Sequence, residues 1–504
     1  MKKITTSLLV TGTVSIATMM AGYAHAANTD IKIVLNEELE LVEPCMASQS
    51  NIGRVILQNV SETLATVNPG YGTLEPRLAT SWEDLGDGKW RFNLRKGVTF
   101  SDGTSFTAAD VKHSLERTLS DKLSCELKAR YFGNMELTAN IVDDYTVDFT
   151  AKPAQPILPL LLSALTIVPE ETPIEFTRKP IGTGAYVLSE WNVGQSIVLK
   201  RRDDYWGKMP EVTKATYLFR SDDAVRAAMV ETGEADIVPQ MSEELVNNAE
   251  TDFAYLNSET TYLRIDQFVE PLGDVRIRKA LNLAVDREAF LGTLVPEGAV
   301  IATHMVPPST LGWNRDLKPW PFDPEEAKRL VKEAKADGVN VDRQITLIGR
   351  TNNFPHATEI NEALTQMFND VGLNVKLEMH EVAEWIGFYS KPFAEDRGPR
   401  MVMAQHDNSR GDPVFSMVWK YTCDGGQSGI CDKDLDVMIA KAAAASGAER
   451  VKLWKPIFAK VHNDLVADVF LFHMVGFSRV SKRLNYEPNI STNSELPLEQ
   501  ISFK

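Results

Sequence analysis

Long apolar runs are missing from this chain beyond its first residues. The one later candidate, Ile157 to Val168, is bracketed by Pro156 and Pro169 and interrupted by Pro159. A membrane-spanning helix needs roughly 20 apolar residues, so this run is expected in a core or on a lobe surface. Catalytic signatures are missing too. There is no HExxH, GxSxG or Walker A sequence, and Gly86-Asp87-Gly88-Lys89 lacks both the spacing and the following Ser or Thr. Gly182-Thr183-Gly184 stops short of GxGxxG and enters a strand-like stretch instead of a helix. Paired metal ligands are absent: His113, His304, His356, His380, His406, His462 and His473 include no two at ligand spacing with each other or with a Cys. No cofactor and no enzyme class is implied. Positive charge is in deficit, with a formal net charge of −16 and a pI near 5.1, which argues against nucleic acid as a partner because the surface repels phosphates.

What the sequence does have begins at its start. Lys2 and Lys3 precede an apolar stretch from Leu8 to Met20, which ends in Ala24-His25-Ala26, and no acidic residue appears before Asp30. That is the layout of a cleavable secretory signal, with cleavage expected after Ala26 and an exported, soluble mature chain. No Cys follows the apolar stretch, so a lipid anchor is not expected there. The remaining length is more than one hydrophobic core ordinarily organises, which implies two or more lobes.

Cysteine is scarce but even. Cys45, Cys125, Cys423 and Cys431 allow three pairings. Cys423 and Cys431 enclose the Gly-rich stretch 424–430 and are expected to pair in an oxidising compartment. Cys45 with Cys125 then remains by elimination.

The periodicity is that of a mixed α/β protein with more than one sheet. Ile31 to Leu35 reads as a strand and Val55 to Leu64 as a helix. Trp90, Phe92 and Leu94 alternate between the Asp87-Gly88 and Asp102-Gly103 turns, and Asn140 to Thr150 alternates again, giving a small antiparallel sheet. A helix follows near Thr107 with Asp110 in its first turn. Further helices are expected over Ala224 to Glu231, Val275 to Leu294, and Glu359 to Val371. Another starts at Asp323 and Pro324 with Ala327, Leu330, Val331 and Ala334 as its buried stripe. Strands are expected over Gln344 to Ile348, Val375 to Glu378 and Met401 to Ala404.

Four stretches resemble the bacterial extracellular solute-binding protein family 5, the dipeptide, oligopeptide and nickel-type receptors of ABC importers. The first runs from Leu78 to Trp82, Trp90 to Gly103 and Phe106 to Val111; the second is Pro180 to Tyr186 with Arg202 to Gly207; the third is Gly233 to Ile237; the fourth is Asp274 to Arg287. The resemblance implies an α/β, two-lobed periplasmic-binding-protein fold with mixed sheets and an extra subdomain inserted in the first lobe. It places lobe 1 at 27–60, 184–262 and 473–504, the inserted subdomain at 61–183 and lobe 2 at 263–472. It implies hinged closure over a small solute, most readily a peptide, and delivery by a periplasmic monomer to an inner-membrane ABC permease with its cytoplasmic ATPase. An opine, a sugar or a sugar-phosphate conjugate is the second choice of ligand, a nickel complex the third, and a periplasmic hydrolase the rival class.

Peptide receptors of this family carry Trp-x-x-Asp shortly before an acidic-Pro pair, the Asp taking the peptide's amino group. Aligned on Asp412-Pro413, His406 stands in place of the Trp and Ser409 in place of the Asp. Asp407 either supplies the charge from a shifted register or caps a turn with Asn408. The polar run from His406 to Asp412 is expected to lie in solvent or face a polar cleft. The expected ligand contacts are therefore His406, Asp407, Asn408, Ser409, Arg410, Trp419 and Tyr421, the last two as aromatic residues that line the cleft or pack beneath it.

Overall fold

The computed structural model describes residues 29–38, 42–45, 57–67, 73–123, 125, 127–132, 135–351, 353–408, 411–489 and 496–504. The expected signal segment, Ser409 and Arg410 lie outside the described residues.

One eleven-stranded sheet runs through the molecule. Its order is Val375–His380, Ile345–Arg350, Arg400–Asp407, Asp252–Ile265, Asp468–Val480, Ile237–Met241, Asp30–Leu35, Lys214–Phe219, Ser196–Arg201 and Tyr186–Asn192, with Val300–Ile301 also pairing Asp468–Val480. Asp252–Ile265 and Asp468–Val480 are the two long central strands. They are antiparallel, and together they carry the sheet from one half of the molecule to the other. Asp468–Val480 is buried along almost its whole length, as a near-continuous apolar strand in mid-sheet should be.

The register of this pair changes midway. Leu256 lies opposite Val475 and Thr260 opposite His473, so residues 257–259 face Met474 alone in a bulge. Strands on the two sides converge on that bulge. Arg400–Asp407 runs antiparallel to Asp252–Ile265 and brings Asp407 opposite Glu259. Ile345–Arg350 is parallel to Arg400–Asp407 and to Val375–His380. On the other side, Ile237–Met241 pairs Asp468–Val480 and is parallel to Asp30–Leu35. The carboxyl ends of both sets of parallel strands therefore point at the crossing, where open α/β sheets form ligand crevices.

A separate four-stranded sheet has the order Ala79–Gly86, Lys89–Leu94, Thr146–Lys152, Glu136–Asp143. Phe92 and Phe149 pack edge to face on it, 5.3 Å apart. The helix Ala108–Leu119 begins as its sequence indicates, with Thr107 and Asp110 closing a capping box. Arg117 from this helix forms a buried ion pair with Glu43 at 2.6 Å. Cys45 is bonded to Cys125, and Cys423 to Cys431.

Two expected helices differ. The helix over Val275 to Leu294 ends at Ala284, and only a short 3-10 turn, Glu288–Phe290, follows. Arg287 explains the stop: its buried guanidinium donates to the carbonyls of Asn282 and Phe470, which turns the chain toward the long strand Asp468–Val480. The helix expected through Leu64 does not continue past Leu57. The chain turns at residues 58–60 and enters the strand Ala65–Val67. The helices Pro324–Ala336 and Ala357–Asp370 and the strands Ile345–Arg350 and Val375–His380 fall where periodicity puts them, within a few residues.

Candidate ligand site at the strand crossing

The crossing is flanked by a cavity of about 570 Å³, counting space open to solvent. Gln240, Met241, Ser242, Glu243 and Glu244 line it from the end of Ile237–Met241. Phe354, Pro355 and His356 line it from the loop after Ile345–Arg350, with Asn257, Gln405 and the segment Met474–Phe477 as its base. The walls are mostly apolar with a few convergent polar groups, the usual make-up of a small-molecule site. His356 Nε2 lies 2.7 Å from Glu244 Oε1, so the two walls touch across the cavity. This contact holds the Glu244 carboxyl below its ordinary pKa, while burial and the nearby carboxylates of Glu244 and Glu297 push Glu243 up.

Arg350 ends its strand beside this cavity. Its guanidinium sits over the Trp385 ring at 5.8 Å, and its Nη1 donates to Asn353 at 3.4 Å. Its Nε is buried without a hydrogen-bond partner among the described residues. Burial pulls the Arg350 pKa below the ordinary arginine value, opposed by the fields of Glu37, Glu259 and Glu381. Glu37 follows the strand Asp30–Leu35 on one side of the crossing, and Arg350 ends a strand on the other. A half-buried cation in the field of several carboxylates is suited to a zwitterion: the guanidinium to its carboxylate, the acids to its amine.

The segment expected to carry the ligand contacts divides in two. Asp407 is half-buried at the crossing and accepts from Ser258 Oγ at 2.5 Å. His406 and Asn408 are buried instead. Ser416 Oγ donates to Asn408 Oδ1 at 2.6 Å and lies 2.8 Å from His406 Nε2, so the histidine presents an N–H there. The run from His406 to Asp412 was expected in solvent or at a cleft surface, but backbone carbonyls and side chains satisfy His406, Asn408 and Asp412 inside the fold. Asn408 Nδ2 reaches the carbonyls of Met305 and His406, each at 3.0 Å, and Asp412 pairs with buried Arg450 at 2.6 Å.

Trp419 and Tyr421 lie on the helix Val414–Tyr421. Tyr421 points into the core and donates to Asp468 at 2.5 Å, and burial holds its pKa well above the ordinary value. Trp419 is half-buried under the disulfide loop: a Cβ at Gly426 would come within 2.3 Å of its ring, so only glycine fits there. Arg350, His356, Glu259 and Gln405 were not picked out from sequence. The available signal was position, since Arg350 is the charged last residue, at the carboxyl end, of an otherwise uncharged strand.

No group of three or more His, Cys, Asp or Glu among the described residues is arranged to hold a metal ion. Among the described residues, no helix is long and apolar enough to cross a membrane.

Comparison with known proteins gives this geometry its context. The chain is 28% identical over 454 residues to the dipeptide-binding protein of Escherichia coli K12, covering 82% of this chain and 84% of that one. It is 26% identical to the glutathione-binding protein GsiB of the same organism, with 87% of each covered. Among solved structures, the periplasmic binding protein DppA of Helicobacter pylori in complex with the peptide STSA superposes with a TM-score of 0.81 at 20% identity, covering 94% of this chain and 98% of that one. The fold is thus that of the two-lobed periplasmic binding proteins. The sequence pattern of the bacterial extracellular solute-binding proteins, family 5 Middle, matches residues 73–428. With most of its length matched and two sets of strand ends facing each other across a cavity, the chain belongs to family 5 of the bacterial extracellular solute-binding proteins, which are binding proteins and not enzymes.

Proposed function

We propose that this protein captures peptides or peptide-like solutes between its lobes and hands them to an inner-membrane ABC permease, acting as a periplasmic monomer once residues 1–26 are removed. Lobe 1 comprises 27–60, 184–262 and 473–504, the inserted subdomain 61–183 and lobe 2 residues 263–472. The observation that carries this reading is Arg350, half-buried at the strand end four residues before the cavity-lining Phe354, with a buried, unpartnered Nε and in the fields of Glu37 and Glu259. That pairing suits a ligand with a carboxylate and an amine. The names of the dipeptide- and glutathione-binding relatives support it. Asp407 is the amine acceptor in this reading, with Gln405 and Ser242 as polar contacts and Trp419 as the support beneath the site.

A second reading has one observation in its favour. Ser409 stands where the family's peptide receptors have the amine-binding Asp, which favours an opine or a sugar conjugate. Calorimetric titration with dialanine, trialanine and reduced glutathione separates the two. Saturable binding of at least one, with a raised melting temperature, is expected, because a ligand that binds only the folded form stabilises it. Binding of an opine or sugar phosphate with no response to any of the three peptides would overturn the peptide reading.

A further inference from the structure

We infer that Asn408 is a positioning residue that couples the ligand segment to the hinge. The inference rests on the reading above only in treating the strand crossing as the hinge of a closing protein.

The geometry is specific to the bulge. Ser258, in the middle of the bulge between the two long strands, is gripped from three directions. Its carbonyl accepts from the Asn408 backbone N–H at 2.9 Å and from Asn408 Nδ2 at 3.3 Å, and its hydroxyl donates to Asp407 Oδ1 at 2.5 Å. Asn408 Nδ2 also lies 3.5 Å from Thr260 Oγ1, and Thr260 Oγ1 lies 2.9 Å from His473 Nδ1 on the opposite long strand. On the other side of the amide, Oδ1 accepts from Ser416 on the helix Val414–Tyr421. One amide therefore joins three elements: the end of the ligand-segment strand, the bulge where the lobes cross, and the following helix.

Only a side chain with a donor and an acceptor on one short planar group meets this set. Aspartate would put negative charge against the carbonyls of Ser258, Met305 and His406, and alanine would remove the side-chain acceptor of the Ser416 hydroxyl and the side-chain donor to those carbonyls. A bulge adds local twist and bend, so its conformation sets the angle at which the two strands leave it. With Asn408 in place, a displacement of Asp407 by ligand is carried to Ser258, to Thr260 and to the following helix together. Without its side chain, the segment holds the bulge only through the Ser258 hydroxyl, one backbone N–H and the strand ladder, and the coupling weakens.

The test is Asn408→Ala in the chain lacking residues 1–26, beside a control of matched melting temperature in the four-stranded sheet, Val147→Ala. Amide hydrogen exchange at Glu259 to Thr261 is read without ligand, and dialanine affinity and scattering-measured compaction are read with it. The expected result for Asn408→Ala is exchange at the bulge at least tenfold faster, affinity at least tenfold weaker and little compaction. Val147→Ala should match the parent on all three. Bulge exchange and compaction in Asn408→Ala equal to those of Val147→Ala would overturn the inference. If Asn408→Ala does not fold, Ser416→Ala removes the hydrogen bond to the same amide together with the one to His406 and should raise bulge exchange by a smaller factor; parent-like exchange there overturns the inference. Should the parent fail to bind dialanine, the peptide reading fails while the exchange measurement still decides the coupling.

Discussion

At Arg350 the guanidinium is held by stacking and by a weak contact to Asn353, and it forms no ion pair with a carboxylate among the described residues. A ligand carboxylate would supply that partner. Replacing Arg350 with Ala should weaken binding of a peptide by about 1.5–3 kcal/mol, roughly ten- to a hundredfold. The melting temperature of the free protein should hardly fall, because an incompletely partnered buried charge contributes little to stability. Calorimetric titration and a thermal melt check both, and unchanged affinity moves the carboxylate site elsewhere. Burial also governs the pH response. It lowers the pKa of His473 to about 3 and of His304 to about 2, so both stay neutral in the fold while the unfolded chain takes up protons below about 6.5. Their contribution is present above that pH and lost as pH falls, at about 1.4 kcal/mol per pH unit for each histidine. Asp468 acts oppositely: burial raises its pKa to about 6, so its contribution is present below about 4 and lost as pH rises through 6. The two histidines outweigh the one carboxyl. Scanning calorimetry should show the melting temperature falling from pH 6.5 to 5, with a smaller fall in His473→Asn. An equal fall in both would rule out the role given to His473.

At the scale of elements, what could be read from sequence was what local chemistry decides. Asp323 and Pro324 start their helix, Thr107 and Asp110 form their capping box, and Phe92 and Leu94 bury one face of a hairpin strand. Where distant partners decide, the sequence was silent. The helix from Val275 stops early because the Arg287 guanidinium finds the Phe470 carbonyl. His406 and Asn408 looked like surface residues because Ser416, Met305 and Ser258, which satisfy them, include partners more than a hundred positions away. Arg350 showed nothing in its own residue type. The Cys423 to Cys431 loop could be read because its chemistry is local, and it wraps the end of Val414–Tyr421: Gln427 N–H donates to the Trp419 carbonyl, and Gln427 Oε1 accepts from Lys420. Changing both cysteines to Ser should lower stability by about 2–3 kcal/mol in the loop-entropy model, measured by urea unfolding. Trp419 fluorescence should shift to the red as the glycine loop lifts off its ring. Parent-like stability and emission would show that the loop holds its shape without the bond.

Across the whole molecule, segments far apart in sequence are held together around the crossing. His356 touches Glu244 on one side, and Tyr131 packs edge to face on Phe415 at 4.9 Å on the other. One apolar cluster runs from the four-stranded sheet through Phe415 and Tyr421 to Trp454, so that sheet and the helix Val414–Tyr421 share one core. Small-angle scattering should show the free protein more extended than this arrangement and compacting to it on ligand binding. Identical profiles with and without saturating ligand would exclude closure. The central claim, reversible capture of a peptide without turnover, is tested most directly by offering the mature chain a defined mixture of di- to pentapeptides. The complex is isolated by gel filtration, and its released contents are identified by mass spectrometry. The prediction is intact peptide at one per chain, unchanged after long incubation; fragments in place of intact peptide, or folded protein that retains none, would contradict it.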